Sequence, residues 1–422
     1  MQYTKTTLKN GLRVITVPTK GNPSVTVMVM VEAGSNYETK EQNGLSHFLE
    51  HMCFKGTTKR PTILDISLEF DNIGAYNNAF TSNEYTGYFA KAEKRHFEKL
   101  LDVVSDMYLD PLFKEADIEK ERGVILQEIS MSEDKPDRQV WYTLYKLMYG
   151  ETPEGRPVIG PKENIKKFTR QDFINYRKKH YVAEGTIVVV SGDVSSKIVE
   201  KSVEKYFSRI SISKKSRKTK IKEAQKTPAI LIKEKETDQI HVALGFRSYP
   251  INDKRAPALS VLAQVLGGGF SSRLYRKIRT EMGACYYIIS FNDPFTDYGM
   301  AGVVTGIEKS RINEVIKAIL NELKVMTTEL IGEKELQKTK DYMIGHMYMG
   351  LETTDSLATF YATEEAVAGK IKTLKEMEEE IRKVTAKDIQ KVAKEVFKNE
   401  GLNLAVVGKG LDKKSLQKIL KI

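Results

Sequence analysis

The sequence predicts an α+β protein built from two homologous domains, each a largely antiparallel sheet with helices packed on one face. Two observations carry this prediction. Thr169, Asp172, Gly185 and Gly192 recur as Thr385, Asp388, Gly401 and Gly408, every one displaced by 216 positions. In each half, strand-like alternation is bunched ahead of long helical patterns, an order that favours helices segregated to one side of a sheet over a doubly wound arrangement.

The first half opens its alternation with VTVMVMVEAGS from Val25, and the second with HVALGFRSYP from His241, at the same offset. Helical periodicity follows over about 93–110 and 115–133, and again over about 310–330 and 333–350. Each half then has a Thr-x-x-Asp helix start, at Thr169 and at Thr385, an amphipathic helix and a short strand closed by glycine, Thr186 to Ser191 and Leu402 to Val407. The glycine run Gly267-Gly268-Gly269 lacks the Gly-Lys-Ser/Thr ending of a phosphate loop and the spacing of a dinucleotide fingerprint. It reads as a flexible loop before a helix.

The halves are divided by SKKSRKTKIKEAQKT, residues 213–227, which holds seven Lys/Arg and one Glu. More than half of the net charge of +11 therefore lies in one stretch without apolar periodicity, read as a solvated basic linker. The expected domains are 1–212, the linker 213–227, and 228–422. No stacking aromatics interleave with these charges, which argues against a nucleic-acid partner.

With 422 residues, 41% hydrophobic and 29% charged, the chain can bury a sizeable core, and disordered, collagen-like and disulfide-scaffold classes are excluded. No apolar run approaches the roughly 18 residues of a membrane span. The N-terminal residues lead straight into strand pattern without the features of a signal peptide, so a cytoplasmic protein with no membrane association is expected. Cys53 and Cys285 are expected to be buried free thiols.

The informative segment is NGLSHFLEHMCFKGT, Asn43 to Thr57. On a helix advancing about 100° per residue, His47, Glu50 and His51 point to one side, so two imidazoles can hold a single ion. A catalytic zinc takes three protein ligands and leaves a fourth position for water, so a third ligand is required elsewhere. Glu50, beside the second His on the same face, stands where a base for that water must be. His-x-x-Glu-His is the inverted order of His-Glu-x-x-His.

These residues resemble the pitrilysin family of zinc metallopeptidases, which includes insulysin and the mitochondrial processing peptidases. The resemblance covers nearly the whole chain and implies the short, two-domain branch with a processing-peptidase-like fold. The family's third ligand is a glutamate in a helix written roughly Glu-(six residues)-Glu-Ile. In ERGVILQEISMSED that pattern matches Glu121 and Glu128, the latter 77 residues after His51. The resemblance implies one Zn2+ per chain on His47, His51 and Glu128, with Glu121 supporting a ligand His. NNAFTSNEYTGYFAKA resembles the family strand that pairs with extended substrate, giving Asn78, Ala79 and Phe80 as substrate-binding candidates. The family's Arg-(six residues)-Tyr signature matches Arg279 and Tyr286, implying a grip on substrate backbone and a catalytic hydroxyl near the oxyanion.

At the 216-residue offset His47, His51 and Glu128 meet Ala263, Gly267 and Ile344, so only the first copy carries ligands. By analogy with the longer members, the resemblance implies a closed chamber for unfolded peptides formed by a homodimer, with Arg279 and Tyr286 acting in trans; a heterodimer is the other assembly. The expected function is a zinc endopeptidase. The competing reading is a non-catalytic partner subunit or structural component, and chains of that kind lack equivalents of His47, Glu50, His51 or Glu128, all of which are present here.

Overall fold

The computed structural model describes residues 2–221 and 225–422. Among them eleven strands form two sheets. The first comprises β1 (Thr4–Thr7), β2 (Arg13–Pro18), β3 (Ser24–Val31), β4 (Tyr76–Thr81), β5 (Thr86–Glu93) and β6 (Thr186–Gly192), in the order β1-β2-β6-β3-β5-β4. The second comprises β7 (Ala229–Lys233), β8 (Ile240–Ser248), β9 (Cys285–Pro294), β10 (Gly299–Ile307) and β11 (Asn403–Val407), in the order β7-β11-β8-β10-β9. Apart from β1 the two orders are the same. Even the parallel pairs correspond, β2 with β6 and β7 with β11, while the remaining ladders are antiparallel. The duplication therefore holds in topology as well as in sequence.

The expected helices form at Phe97–Leu109, Glu115–Asp134, Ile312–Thr328 and Glu333–Met349. The two Thr-x-x-Asp starts are capping boxes: Thr169 and Asp172 bond reciprocally, as do Thr385 and Asp388, which satisfies N–H groups that a helix start leaves unpaired.

Every residue of β3 after Ser24 is buried, so this strand is covered on both faces. Val25, Val27, Val29 and Val31 join a core with the helices Leu45–Met52, Phe97–Leu109, Arg170–His180 and Ser196–Tyr206. Met28 and Met30 face the other way, with Ile15, Val17, Ile187 and Val189, onto Leu357, Ala358 and Tyr361 of the helix Thr354–Thr363. The second sheet repeats the scheme. Val242, Leu244 and Phe246 pack on helices of their own half, and Ala243, Val304, Ala405 and Val407 pack on Val140, Leu144 and Met148 of the helix Pro136–Tyr149. A Cβ at Gly245 would lie 2.8 Å from Leu144 Cδ1, so the helix's close approach requires glycine there.

Helices of the same half thus cover one face of each sheet as expected, and the opposite face is covered by a helix from the other half of the sequence. The compact units are consequently discontinuous: Met1–Ser130 with Arg156–Thr219 and Tyr348–Thr373, and Met131–Gly155 with Lys220–Met347 and Leu374–Ile422. They differ from the continuous 1–212 and 228–422 of the sequence reading because each half lends one amphipathic helix to the other's sheet.

The basic stretch 213–227 also differs from expectation. Residues 222–224 lie outside the described residues, but Lys215 pairs with Glu32, and Lys218 pairs with Glu84, both of the latter side chains nearly buried. These two lysines are fastened to the first unit, Lys215 while still exposed and Lys218 nearly buried, whereas most of the described stretch is exposed as expected. Among the described residues no helix is long and apolar enough to cross a membrane.

Candidate metal centre

The helix Leu45–Met52 buries Leu45, Phe48, Leu49 and Met52, which pack into the first core. Three and four residues apart on the remaining face stand His47, Glu50 and His51, the placement that helical spacing predicts. The helix Glu115–Asp134 brings Glu121 and Glu128 against them.

Glu128 Oε2 lies 3.8 Å from His47 Nε2 and 3.7 Å from His51 Nε2. One ligand atom from each of the three residues lies within 4.8 Å of the others, and they form the metal-ligand group found among the described residues. Three donors at about 2.0–2.2 Å from one tetrahedral ion stand about 3.3–3.6 Å apart, so the observed separations need to close only slightly. Glu128 Oε2 is buried and has no hydrogen-bond partner among the described residues. A buried carboxylate oxygen so placed calls for a cation, and the two-nitrogen, one-oxygen donor set is one that zinc takes in catalytic sites. The residues fit the ion.

Burial, and then the neighbouring His51, hold His47 down to about 3, which leaves a neutral ring with a free lone pair. His51 is shifted upward: burial opposes the charged ring, but the hydrogen bond with Glu121 and the charges of Glu50, Glu121 and Glu128 outweigh it. A metal at Nε2 competes with that proton wherever the ring is charged.

Glu121 holds His51 from behind, its Oε1 2.8 Å from Nδ1. Its other oxygen is 2.5 Å from Lys55 Nζ. Burial works against the Glu121 charge, but these two bonds prevail and hold its carboxyl below the usual range. The carboxylate thus fixes the His51 tautomer that presents Nε2 to Glu128. His47 has no such support, since its Nδ1 is buried without a hydrogen-bond partner among the described residues.

Glu50 stays outside the ligand group. Thr81, at the end of β4, donates its hydroxyl to Glu50 Oε2 at 2.5 Å. Burial pushes the Glu50 carboxyl up, with Thr81 and His51 opposing, which moves it toward the proton-exchanging range of a general base.

Among the described residues β4 is the terminal strand of its sheet and pairs with β5 alone. Asn78, Ala79 and Phe80 lie on it, and alternation divides them. Ala79 packs on the core that contains the histidine helix, while Phe80 packs on the other face, over Gly87 and beside Tyr85. Asn78 folds its side-chain oxygen onto the Ala79 N–H.

Arg279 and Tyr286 form a pair within the second unit. Arg279 Nη1 donates to the Cys285 carbonyl at 2.6 Å, and its guanidinium lies 5.2 Å from the centroid of the Tyr286 ring. Tyr286 is 73% exposed. Both cysteines are buried free thiols; burial pushes the Cys53 thiol up to about 12, too high for a reactive thiolate near neutrality.

Sequence reasoning missed Thr81, Lys55 and the buried Glu38, described below. Thr81 had a signal, being the last residue of the Asn-Ala-Phe-Thr strand, and Lys55 lies one turn beyond His51. Glu38 carried none, because its partners are set by the turn it folds into.

Comparison with known proteins places the chain in a family. The family model described as Insulinase (Peptidase family M16) matches residues 13–162, and that described as Peptidase M16 inactive domain matches residues 167–343. The chain is 34% identical over 401 residues to an uncharacterized zinc protease of Bacillus subtilis, covering 95% of this chain and 97% of that one. It is 33% identical over 391 residues to one of Rickettsia felis, covering 92% and 94%. A crystal structure of a protease from Helicobacter pylori superposes with a TM-score of 0.89 at 25% identity, over 96% of this chain and 99% of that chain. A structure from Pseudomonas fluorescens described as a peptidase M16 inactive domain gives 0.90 at 16% identity over 97% and 99%, a likeness of fold. With full-length relatives above 30% identity and both of its family models matched in order, the chain belongs to peptidase family M16.

Proposed function

We propose that the protein is a zinc-dependent endopeptidase that hydrolyses extended, unfolded peptides, with one zinc ion per chain held by His47, His51 and Glu128. The observation that carries this reading is the orphaned Glu128 Oε2, buried beside two imidazole nitrogens at 3.7 and 3.8 Å. The zinc-protease names of its full-length relatives support it.

Bound there, zinc would supply Lewis acidity, lowering the pKa of a bound water to about 7 and polarising a carbonyl. The chain's own residues supply the rest. Glu50, kept off the ligand group by Thr81, takes the proton of the attacking water on its carboxylate and returns it to the departing amine nitrogen. Glu121 and Lys55 hold the His51 ring so that neither step reorients it. The free edge of β4 offers main-chain groups to an extended peptide, a mode of binding that reads few side chains and suits loose sequence preference.

The second half, matched to the inactive domain, has Ala263, Gly267 and Ile344 where ligands would stand. Its assigned role is substrate binding, with Arg279 gripping peptide backbone and the exposed Tyr286 hydroxyl donating to the oxyanion. Such a donor contributes about 2.7–4 kcal/mol to the transition state. The assembly proposed is a homodimer enclosing the substrate, in which this pair serves the partner's metal centre.

Metal analysis of the purified chain, run beside cleavage of a quenched peptide library, tests the reading. One zinc per chain and cleavage lost in Glu50→Gln with zinc retained are the expected results. A chain that takes no zinc at stoichiometric supply, or a Glu50→Gln protein that still cleaves, refutes it.

A further inference from the structure

The histidine helix begins without a side chain of its own to cap it. Its N-cap is Gly44, in the left-handed region at φ 100°, where a Cβ would come within 2.9 Å of the Gly160 backbone. The cap is supplied from outside the helix by Glu38, which is 2% exposed. Glu38 Oε1 accepts from the Ser46 N–H at 2.7 Å and the Ser46 hydroxyl at 2.5 Å. Its Oε2 accepts from the Gly44 N–H at 2.9 Å and from Asn43 Nδ2 at 3.2 Å. One buried carboxyl group thus accepts from four donors at the positive end of the helix that carries His47 and His51; burial pushes the carboxyl up, and the four bonds oppose that push.

The same turn is tied to the segment 156–168. Arg156 Nη2 donates to the Glu38 carbonyl at 2.6 Å, and Asn43 Nδ2 to the Pro157 carbonyl at 2.9 Å. At its far end this segment meets the other ligand-bearing helix. Arg122, next to Glu121, donates to the carbonyls of Ile165 and, at 2.8 Å, Phe168. Its guanidinium also lies 5.9 Å from the ring centroid of Phe48, the residue after His47.

We propose that Glu38 and Arg122 are positioning residues which lock both ligand-bearing helices to the segment 156–168 and so set the distance of His47 and His51 from Glu128. The inference rests on the metal reading above and goes beyond it. A ligand group assembled from two helices holds its spacing only as well as the helices are registered: Arg122 bonds the segment directly, and the Glu38 carboxyl holds the start of the histidine helix and Asn43, whose amide reaches the Pro157 carbonyl, to a turn that Arg156 binds. Glutamine at 38 is isosteric but replaces one accepting oxygen with a donor that faces the Gly44 N–H and the Asn43 amide. Lysine at 122 keeps the charge but can reach only one of the two carbonyls at once.

The test compares the full-length wild type with Glu38→Gln, Arg122→Met and Arg122→Lys. Readouts are the zinc dissociation constant by competition with a chromophoric chelator, the visible spectrum of the Co2+-loaded protein, kcat and KM on one quenched peptide, and the melting temperature of the metal-free chain. Expected are a rise of about tenfold or more in the zinc dissociation constant, an altered Co2+ spectrum, and a lower kcat at little-changed KM, with Arg122→Lys between Arg122→Met and wild type. A lower melting temperature with unaltered zinc affinity and Co2+ spectrum means a purely structural role and overturns the proposal. If Glu38→Gln fails to fold, Ser46→Ala, which removes one of the four bonds, carries the same comparison with a smaller expected rise, and wild-type zinc affinity there overturns it. A wild type that binds no zinc defeats the metal reading itself, whereas tight wild-type binding matched by every variant defeats only this one.

Discussion

The Thr81 hydroxyl donates to Glu50 Oε2 at 2.5 Å, joining the end of an edge strand to the base on the histidine helix. This bond opposes the upward push that burial gives the Glu50 carboxyl. Without it, Glu50 holds its proton to higher pH and is free to turn toward the ligand group. Thr81→Val is therefore expected to move the acidic limb of the kcat/KM profile to higher pH and to lower kcat by about tenfold, a fraction of the 10²–10⁴ that a positioned base supplies. Thr81→Ser should restore both. Steady-state kinetics across pH, with zinc content measured alongside, decide it; an acidic limb unchanged in Thr81→Val would mean that the bond does not tune the base.

Glu121 joins His51 and Lys55, and the consequence for metal affinity is specific. In Glu121→Gln the amide cannot be an acceptor toward His51 and Lys55 on both of its ends, so the ring loses its anchor or Lys55 loses its pair. Zinc affinity should fall by about 10–100-fold, the range for partners that orient a ligating His. Lys55→Met should give a smaller fall, because the bond to His51 survives. Chelator competition on the two variants measures both, and equal affinities for wild type and Glu121→Gln would remove Glu121 from the site.

What the sequence reveals of this site follows from how local each relationship is. The common face of His47, Glu50 and His51 is fixed by helical geometry alone and is legible in five residues of sequence. Glu121 and Glu128 share a face for the same reason, but their meeting with the histidines depends on packing through the core, and family resemblance rather than periodicity pointed to them. Glu38 and Arg122 were silent because their partners, backbone groups joined at Glu38 by the Ser46 hydroxyl and the Asn43 amide, are brought near only by the folded turns. The exchange of helices was silent too. The apolar side of Pro136–Tyr149 calls for a sheet without saying which one, and short connections favour the wrong choice. Lys215 and Lys218 read as solvated because a run of charge shows nothing of the buried Glu32 and Glu84 that receive it.

A buried histidine and a half-buried aspartate push the stability of their units in opposite directions with pH. His180 is 3% exposed, packed between Tyr37 and Tyr176, with neither ring nitrogen hydrogen-bonded to a described residue. Burial, with the charge of Lys179, holds it down to about 4 from an ordinary value of 6.5. Its neutral form is favoured in the folded state, so its contribution is complete above pH 6.5 and is lost as pH falls toward 4, by roughly 3 kcal/mol at about 1.4 kcal/mol per pH unit. In the second unit burial pushes Asp293 up to about 6 from 3.8. There the protonated form is favoured, so stability is highest below pH 3.8 and is lost as pH rises through 6, again by up to roughly 3 kcal/mol. His180→Leu should flatten the first unit's loss between pH 6.5 and 4. Asp293→Asn should stabilise the second unit at pH 7 and leave it unchanged near pH 3.5. Hydrogen exchange resolved by segment reads each unit separately, and a His180→Leu profile parallel to wild type would count against the first assignment.

The lent helices make a prediction about where damage is felt. Tyr361 is 1% exposed on the helix Thr354–Thr363 and packs with Ile15, Val17, Met28, Met30, Ile187 and Val189 on the first sheet. Truncating a buried aromatic to alanine costs about 3–5 kcal/mol through lost burial and the cavity that remains. In sequence Tyr361 belongs to the second half, so continuous domains would place the loss there. The packing places it in the first: in Tyr361→Ala, amide exchange should accelerate in β2, β3 and β6 while β8, β10 and β11 keep wild-type protection. Leu144→Ala, on the helix Pro136–Tyr149, should do the reverse, loosening β8 and β11 and sparing β3. Because the histidine helix packs on the opposite face of the sheet that Tyr361 covers, Tyr361→Ala should also weaken zinc binding, and Leu144→Ala should not. Exchange rates that followed sequence halves instead of sheets would show that the lent helices do not stabilise the sheets they cover.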